Sequence, residues 1–463
     1  MQATTFLFTN RQKGAIGKND LYMKNLVTLR FMLVSLFAIM SMAVSADTIE
    51  YSTGDGFNYR LDTEAKTAEL AGYNGSAREI SISESVTYEG VVYSVTSLGE
   101  LCFLNRSSLT SINIPSSVTS LGEGCFAYCS SLTSINIPSS VTSLGGSCFS
   151  GCYSLTSINI PSSVTSMGEF CFVGCSSLTS INIPSSVTSL GEYCFTHCSS
   201  LTSIVVDAGN SVYDSRENCN AVIETESNTM ICGCAGTVIP SSVTSLGEDC
   251  FYGCSSLTSI NIPSSVTSLG EGCFSGCSSL TAIVVDAGNS VYDSRENCNA
   301  VIETKSNTMI CGCAGTVIPS SVTSLGYRCF ADCYSLTSIN IPSSVTSLGE
   351  ECFSGCSSLT SINIPSSVTS LGKYCFMGCS SLKTVTCEIP APIGDYSIFY
   401  NTPINEATLY VPKASLNSYK TTSPWSGFGT ILAIKSSGIE TNTVAYQPQW
   451  MPSITLRERE MAA

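Results

Sequence analysis

Apolar positions along the chain recur at one fixed interval. In residues 109–131, Leu109, Ile112, Ile114, Val118, Leu121, Cys125, Phe126 and Cys129 stand in a background of Ser, Thr, Asn and Gly, and residues 132–154 repeat the order with few changes. The period is 23 residues, marked by Leu109, Leu132, Leu155, Leu178 and Leu201, resumed at Leu257 and Leu280, and again at Leu336, Leu359 and Leu382. The run I-P-S-S-V-T-S-[L/M]-G occurs nine times. A period between about 20 and 50 residues is the mark of a solenoid or an array. One unit is too small to bury its own apolar side, and stacked units bury it against each other.

Within a unit, Ile112-Asn113-Ile114 alternates as a half-buried strand does. Pro115 ends the strand, because it has no N–H to give a ladder. Ser116 and Ser117 make a polar turn, and Val118 and Leu121 return inward. Gly122 is expected to allow a turn that a residue with a Cβ would resist. Cys125 and Cys129 are four apart and would share one face of a helical turn. The predicted fold is a repeat solenoid of 23-residue coils. Each coil supplies one parallel β-strand and one short helical or 3₁₀ segment.

Two longer units interrupt the period. Residues 205–240 and 284–319 are the same 36-residue segment, differing only at Glu226 and Lys305. In each, the run N-A-V-I-E-T, a short polar link and T-M-I-C-G predict a β-hairpin. The expected solenoid spans 93–382. Residues 47–92, with short strand-like runs, form an N-terminal β cap. Residues 383–435, with a strand-like run, a short amphipathic stretch, Trp425 and Phe428, form a C-terminal cap. Residues 436–463 are polar and expected to be disordered. Residues 23–46 have a short basic region (Lys24, Arg30), an apolar stretch from Phe31 to Val44, and small residues before Asp47. That is the pattern of a secretory signal peptide. Residues 1–22 look unrelated to it and are read as a mis-assigned start.

Composition narrows the partners. The net charge is −15 and only 12% of residues are charged. Loss of residues 1–46 would leave 15 basic and 34 acidic residues. That balance argues against nucleic acid or an anionic membrane surface as partner. No second long apolar run follows Ala46, so no membrane span is expected after signal cleavage. One histidine in 463 residues removes most His-based catalysis.

The unit S-I-N-I-P-S-S-V-T-S-L-G-x-x-C-F-x-x-C-S-S-L resembles the BspA-like class of bacterial leucine-rich repeats. Leu121 stands where that family usually has Ile, and Cys125 where it usually has Ala. The segment beginning V-Y-D-S-R-E-N-C resembles a recurring variant in its Bacteroidetes members, and L-Y-V-P-K-A-S-L-N-S-Y-K resembles their C-terminal region. The resemblance covers about 47–435. It implies a secreted or cell-surface protein acting in adhesion, with host matrix proteins or other bacterial surfaces as partners, and no catalytic residues.

The 26 cysteines admit three readings. Nine C-x-x-x-C pairs follow the repeat: Cys125 and Cys129, Cys148 and Cys152, Cys171 and Cys175, Cys194 and Cys198, Cys250 and Cys254, Cys273 and Cys277, Cys329 and Cys333, Cys352 and Cys356, Cys375 and Cys379. Because they recur as Leu and Phe do, they read as a buried structural thiol ladder. Export of so many cysteines reads instead as disulfides. A metal is the third reading, but the C-x₂-C pairs usual for zinc are absent.

Other chemistry is sparse. His197 lies in a variable slot and is expected to be exposed, without a role. Asp207, Asp214 and Glu217, with Asp286, Asp293 and Glu296, lack the calcium-loop spacing and read as solvated loops. No phosphate-binding glycine loop occurs. No catalytic residue, metal ligand or cofactor is predicted, and the chain is not expected to be an enzyme. What remains is a surface. Outward strand positions should form a column of Asn113, Asn136, Asn159, Asn182, Asn261, Asn340 and Asn363, beside a column of Ser. Amide and hydroxyl groups on an extended face can pair with protein backbone or sugars, or they are simply soluble, β-compatible residues carried with the repeat. The expected function is protein binding or adhesion, with a structural or carbohydrate-binding role as the alternative.

Overall fold

The computed structural model describes residues 48–435. The residue ranges 1–22, 23–46 and 436–463, to which a start, a signal peptide and a tail were assigned, lie outside the described residues.

The chain winds into stacked coils, one per repeat. The S-I-N-I positions pair in parallel, with Ser180–Ile183 against Ser203–Val206 and Ser361–Ile364 against Thr384–Cys387. In some coils the strand narrows to a single bridge, as at Asn113–Asn136 and Asn136–Asn159. A second parallel ladder runs through the Ser-Leu pairs before each Gly, joining Ser120–Leu121 to Ser143–Leu144, Ser166–Met167 and Ser189–Leu190. Two residues are too few to show an alternation, so the sequence pattern did not announce it.

Except at Gly99, Gly247 and Gly326, the glycine after the Leu or Met of each coil has a different reason from the one expected. A Cβ on Gly122 would stand 2.6 Å from the carbonyl carbon of Gly99, and one on Gly145 would stand 2.5 Å from that of Gly122. The residue is required because adjacent coil backbones touch there, not because a turn needs its freedom.

The Cys-Phe segment forms consecutive hydrogen-bonded β-turns, not the short helical or 3₁₀ segment expected, because the residue before each paired cysteine has a positive φ that a right-handed helix does not accept. Cys125 N–H donates to Gly122 O and Cys129 N–H to Phe126 O. Between them, Gly124, Phe126 and Tyr128 donate across to Gly146, Cys148 and Ser150 of the next coil at 2.7–2.8 Å. The two sets alternate residue by residue. To serve both, the residue before each cysteine takes a left-handed backbone, Gly124 at φ 58° and Tyr128 at φ 59°. Tyr193, His197, Arg328 and Asp332 hold the same place in their coils. A side chain there costs about 1–2 kcal/mol, which the cross-coil bonds offset.

Inside, Phe103, Phe126, Phe149, Phe172 and Phe195 stack at centroid separations of 5.3–5.7 Å. The hairpins are present: Val222–Glu224 pairs antiparallel with Thr229–Cys232, and Ala300–Glu303 with Thr308–Gly312. The outer strand of each then joins the Ser-Leu ladder, Met230 opposite Leu246 and Met309 opposite Leu325. Gly233 and Gly312 occupy the phenylalanine place, since a Cβ on either would stand 2.2 Å from the ring of Phe251 or Phe330. The aromatic stack therefore breaks at each long unit. The buried apolar residues accordingly divide into three large clusters, with two small ones beside them.

Residues 48–73 add three strands in antiparallel order before the first coil. At the other end, Thr408–Val411 and Thr430–Ala433 extend the S-I-N-I sheet. Buried Tyr419 and Trp425 close the core there. Among the described residues, no helix is long and apolar enough to cross a membrane.

Candidate binding surface

Asn113, Asn136, Asn159, Asn182, Asn261 and Asn340 are exposed in one column on the outer strand face, and Asn363 is half-buried. Each run of Asn ends on a carboxylate. Asn182 Nδ2 donates to Asp207 (2.8 Å), Asn261 to Asp286 (2.9 Å) and Asn363 to Glu388 (3.2 Å). Valine replaces asparagine in the long units: Val205 lies opposite Asn182 and is 46% exposed, and Val238 and Val317 are each 71% exposed. The outer wall is therefore amide-rich with apolar interruptions.

The eighteen paired cysteines form two inward columns. All are buried except Cys254 and Cys333, which are half-buried, and no disulfide joins any of the 26 cysteines in this structure. The second column has a specific partner. Cys129, Cys152, Cys175 and Cys198 each donate through Sγ to the carbonyl of the phenylalanine in the preceding coil, at 3.2–3.3 Å. Cys254 and Cys333 donate to Gly233 and Gly312, which stand in that place. In the first column neighbouring sulfurs meet, as Cys125 does Cys102 and Cys194 does Cys171. Burial pushes the thiols of Cys125, Cys171 and Cys194 up and raises Cys129 to about 12; outside the columns, Cys219 rises to about 11.

In the long units Arg216 grips Asp214 and reaches Asn228 (2.8 Å), fixing the loop beside the hairpin; Arg295 does the same with Asp293 and Asn307. The arginine hydrogen bonds hold both carboxyls below their ordinary range against the opposing effect of burial. These loops, expected to be freely solvated, are tied by ion pairs. Glu217 and Glu296 sit between them with left-handed backbones.

His197, expected to be exposed, is half-buried, its ring edge-on to Tyr252 at 5.4 Å. It lies beside a cavity that the sequence did not disclose. The cavity has a volume of about 340 Å³ and lies where the coil at 190–196 faces the coil at 247–252 across the first long unit. Its lining includes Tyr193, Phe195, Tyr213, Cys232 and Tyr252, with Glu192, Glu224, Glu248 and Asp249. Tyr193 Oη donates to Asp249 Oδ2 (3.0 Å), joining residues 56 apart in sequence. Arg328 approaches the other oxygen of Asp249 at 3.6 Å. Burial raises the Asp249 carboxyl to about 6 despite that cation. The only sequence signal for this place was that the slot before the first cysteine varies among coils.

The repeat matches a family model, BspA type leucine rich repeat region, in six copies over residues 96–221, 230–310 and 302–420. Among solved structures, the chain is similar to a leucine rich cell surface protein from Faecalibacterium prausnitzii (28% identity, 84% of this chain and 95% of that one, TM-score 0.49). It is also similar to a leucine-rich repeat protein from Bacteroides ovatus (27% identity, 78% and 99%, TM-score 0.38). Among curated proteins nothing matches. The match of the repeat over most of the coiled region, together with the fold that repeat builds, makes this chain a member of the BspA-type leucine-rich-repeat family.

Proposed function

We propose that the protein is an exported, non-enzymatic binding module that works at the cell surface in adhesion to other proteins. The observation that carries this reading is the exposed asparagine column, repeated at one register along the outer sheet face. A fixed array of amides suits an extended protein ligand, because each carboxamide both donates and accepts. Membership of a repeat family built on stacked units supports it, since such solenoids present long binding faces. The apolar stretch before Asp47 supports export.

The test is binding of the purified protein to immobilised fibronectin, fibrinogen and collagen, with a glycan array in parallel. A variant carrying Asn136→Asp, Asn159→Asp and Asn182→Asp keeps the fold's outward positions but alters the donor pattern. Saturable protein binding, weakened about tenfold in the variant, places the site on this face. Binding to glycans alone would replace the reading with a carbohydrate-binding one.

A further inference from the structure

The cross-coil hydrogen bonds have a gap at the first long unit. At ordinary joints three amides donate to the next coil: Phe170, Phe172 and Gly174 reach Glu192, Cys194 and Thr196 at 2.9 Å. The next amides in the same register belong to Tyr193 and Phe195. Among the described residues neither meets a hydrogen-bond acceptor. Both residues line the cavity, and Ile231 and Cys232 of the long unit stand on its opposite wall without taking their protons. A buried amide without a partner costs about 1–3 kcal/mol, so a group that supplied the acceptors would bind with that penalty relieved.

The charge of the ligand follows from the walls. Every ionisable carboxylate or basic side chain on the lining is acidic: Glu192, Glu224, Glu248 and Asp249. Tyr193 and Tyr252 add ring faces, which attract cations.

The second long unit shows how the molecule treats the same geometry when it supplies its own cation. One 79-residue block later, Gly272 replaces Tyr193 and Arg328 replaces Asp249. The Arg328 guanidinium lies over Gly272, 2.9 Å from where a Cβ would be, and reaches back to Asp249 and on to Glu351 at 3.4 Å. At that joint the amides of Gly272 and Phe274 likewise meet no acceptor among the described residues, and a guanidinium of the chain lies beside them against the carboxylates. At the first joint Arg328 reaches only Asp249, and among the described residues the exposed carboxylates of Glu192 and Glu248 have no ion pair.

We propose that the cavity is the docking point for an extended, cationic segment of a protein ligand. Two of its carbonyl oxygens take the N–H groups of Tyr193 and Phe195, and an Arg or Lys side chain lies among Glu192, Glu224 and Glu248. The segment adds one rung to an interrupted ladder, which is recognition by strand addition. A volume near 340 Å³ admits a few residues, at the lower end of ligand sites. The inference rests on the protein-binding reading above and names the chemistry of the partner.

The test uses the full chain and a fluorescein-labelled peptide of alternating Arg and Val, followed by anisotropy at about 0.15 M salt. Glu192→Gln with Glu248→Gln should weaken binding at least tenfold. Glu100→Gln with Glu350→Gln removes two exposed carboxylates from the same slot in distant coils, and should leave affinity within about twofold. Hydrogen exchange should show the amides of Tyr193 and Phe195 newly protected with peptide bound. Equal weakening in both double variants, or no added protection at those amides, overturns the proposal in favour of general attraction to an acidic surface. If the peptide does not bind while matrix protein does, and Glu192→Gln/Glu248→Gln leaves that binding unchanged, the docking site is wrong and the adhesion reading stands. If neither binds, both fall.

Discussion

Thr402 donates its hydroxyl to the carbonyl of Phe376 at 2.5 Å, from the place where the two coils before it have Cys356 and Cys379. One coil before it, Cys379 Sγ donates to Phe353 O at 3.2 Å. The second cysteine is thus used as a small buried donor, and a threonine can do its work. Cys152→Thr should therefore keep the bond to Phe126 and cost less than about 1 kcal/mol. Cys152→Val removes the donor at similar volume and should cost more, about 0.5–1.5 kcal/mol beyond the threonine variant. Urea unfolding of the two variants separates the cases. If valine is as stable as threonine, the thiol is only filling space.

The thiol columns also set a chemical state and a pH limit. We propose that the cysteines stay reduced in the folded protein. Unfolding without reductant in the presence of a maleimide should label most of the 26, and near-zero labelling would mean that they are paired. Because burial raises the folded thiols above their ordinary value near 9, the folded state holds protons that the unfolded state has lost. Stability is then full below about pH 9 and falls as pH rises from there toward the raised values, about 11 for Cys219 and Cys298 and about 12 for Cys129. Melting temperatures between pH 7 and 11 should drop steeply above 9. A flat profile would contradict the buried columns.

Two adjacent glycines should behave in opposite ways. Gly145→Ala drives a Cβ to 2.5 Å from the backbone of Gly122 and should cost about 1–3 kcal/mol. At Gly146 the nearest atom to a Cβ is Glu169 O at 3.4 Å, and the equivalent place carries Glu123 and Glu169 in neighbouring coils. Gly146→Ala should be neutral or stabilising by up to about 1 kcal/mol. A thermal melt of each variant is enough to decide. Equal losses would show that both sites resist substitution for conformational rather than steric reasons.

The stacking, the hairpins and the inward direction of Leu, Phe and Cys could be read from the sequence because each is repeated many times, and repetition filters out local exceptions. The Ser-Leu ladder could not, because two residues carry no period. Gly122 was legible as a required glycine, but its reason lies in Gly99, 23 residues away. The outward asparagines follow from alternation around Ile112 and Ile114. The Tyr193–Asp249 bond and the cavity around it were invisible, since they depend on one irregular unit bringing together two slots that the repeat leaves free. His197 escaped for the same reason: its exposure is set by Tyr252, across that unit.

The division of the core into three large clusters has a mechanical consequence. Inside a cluster, each coil is tied to the next by the Phe column and by rows of amide bonds loaded together. At the long units the Phe column stops at Gly233 and Gly312. A molecule pulled along its length by an attached ligand would part there first, and would lengthen in steps, with each intact block surviving as a unit that can close again when the load is released.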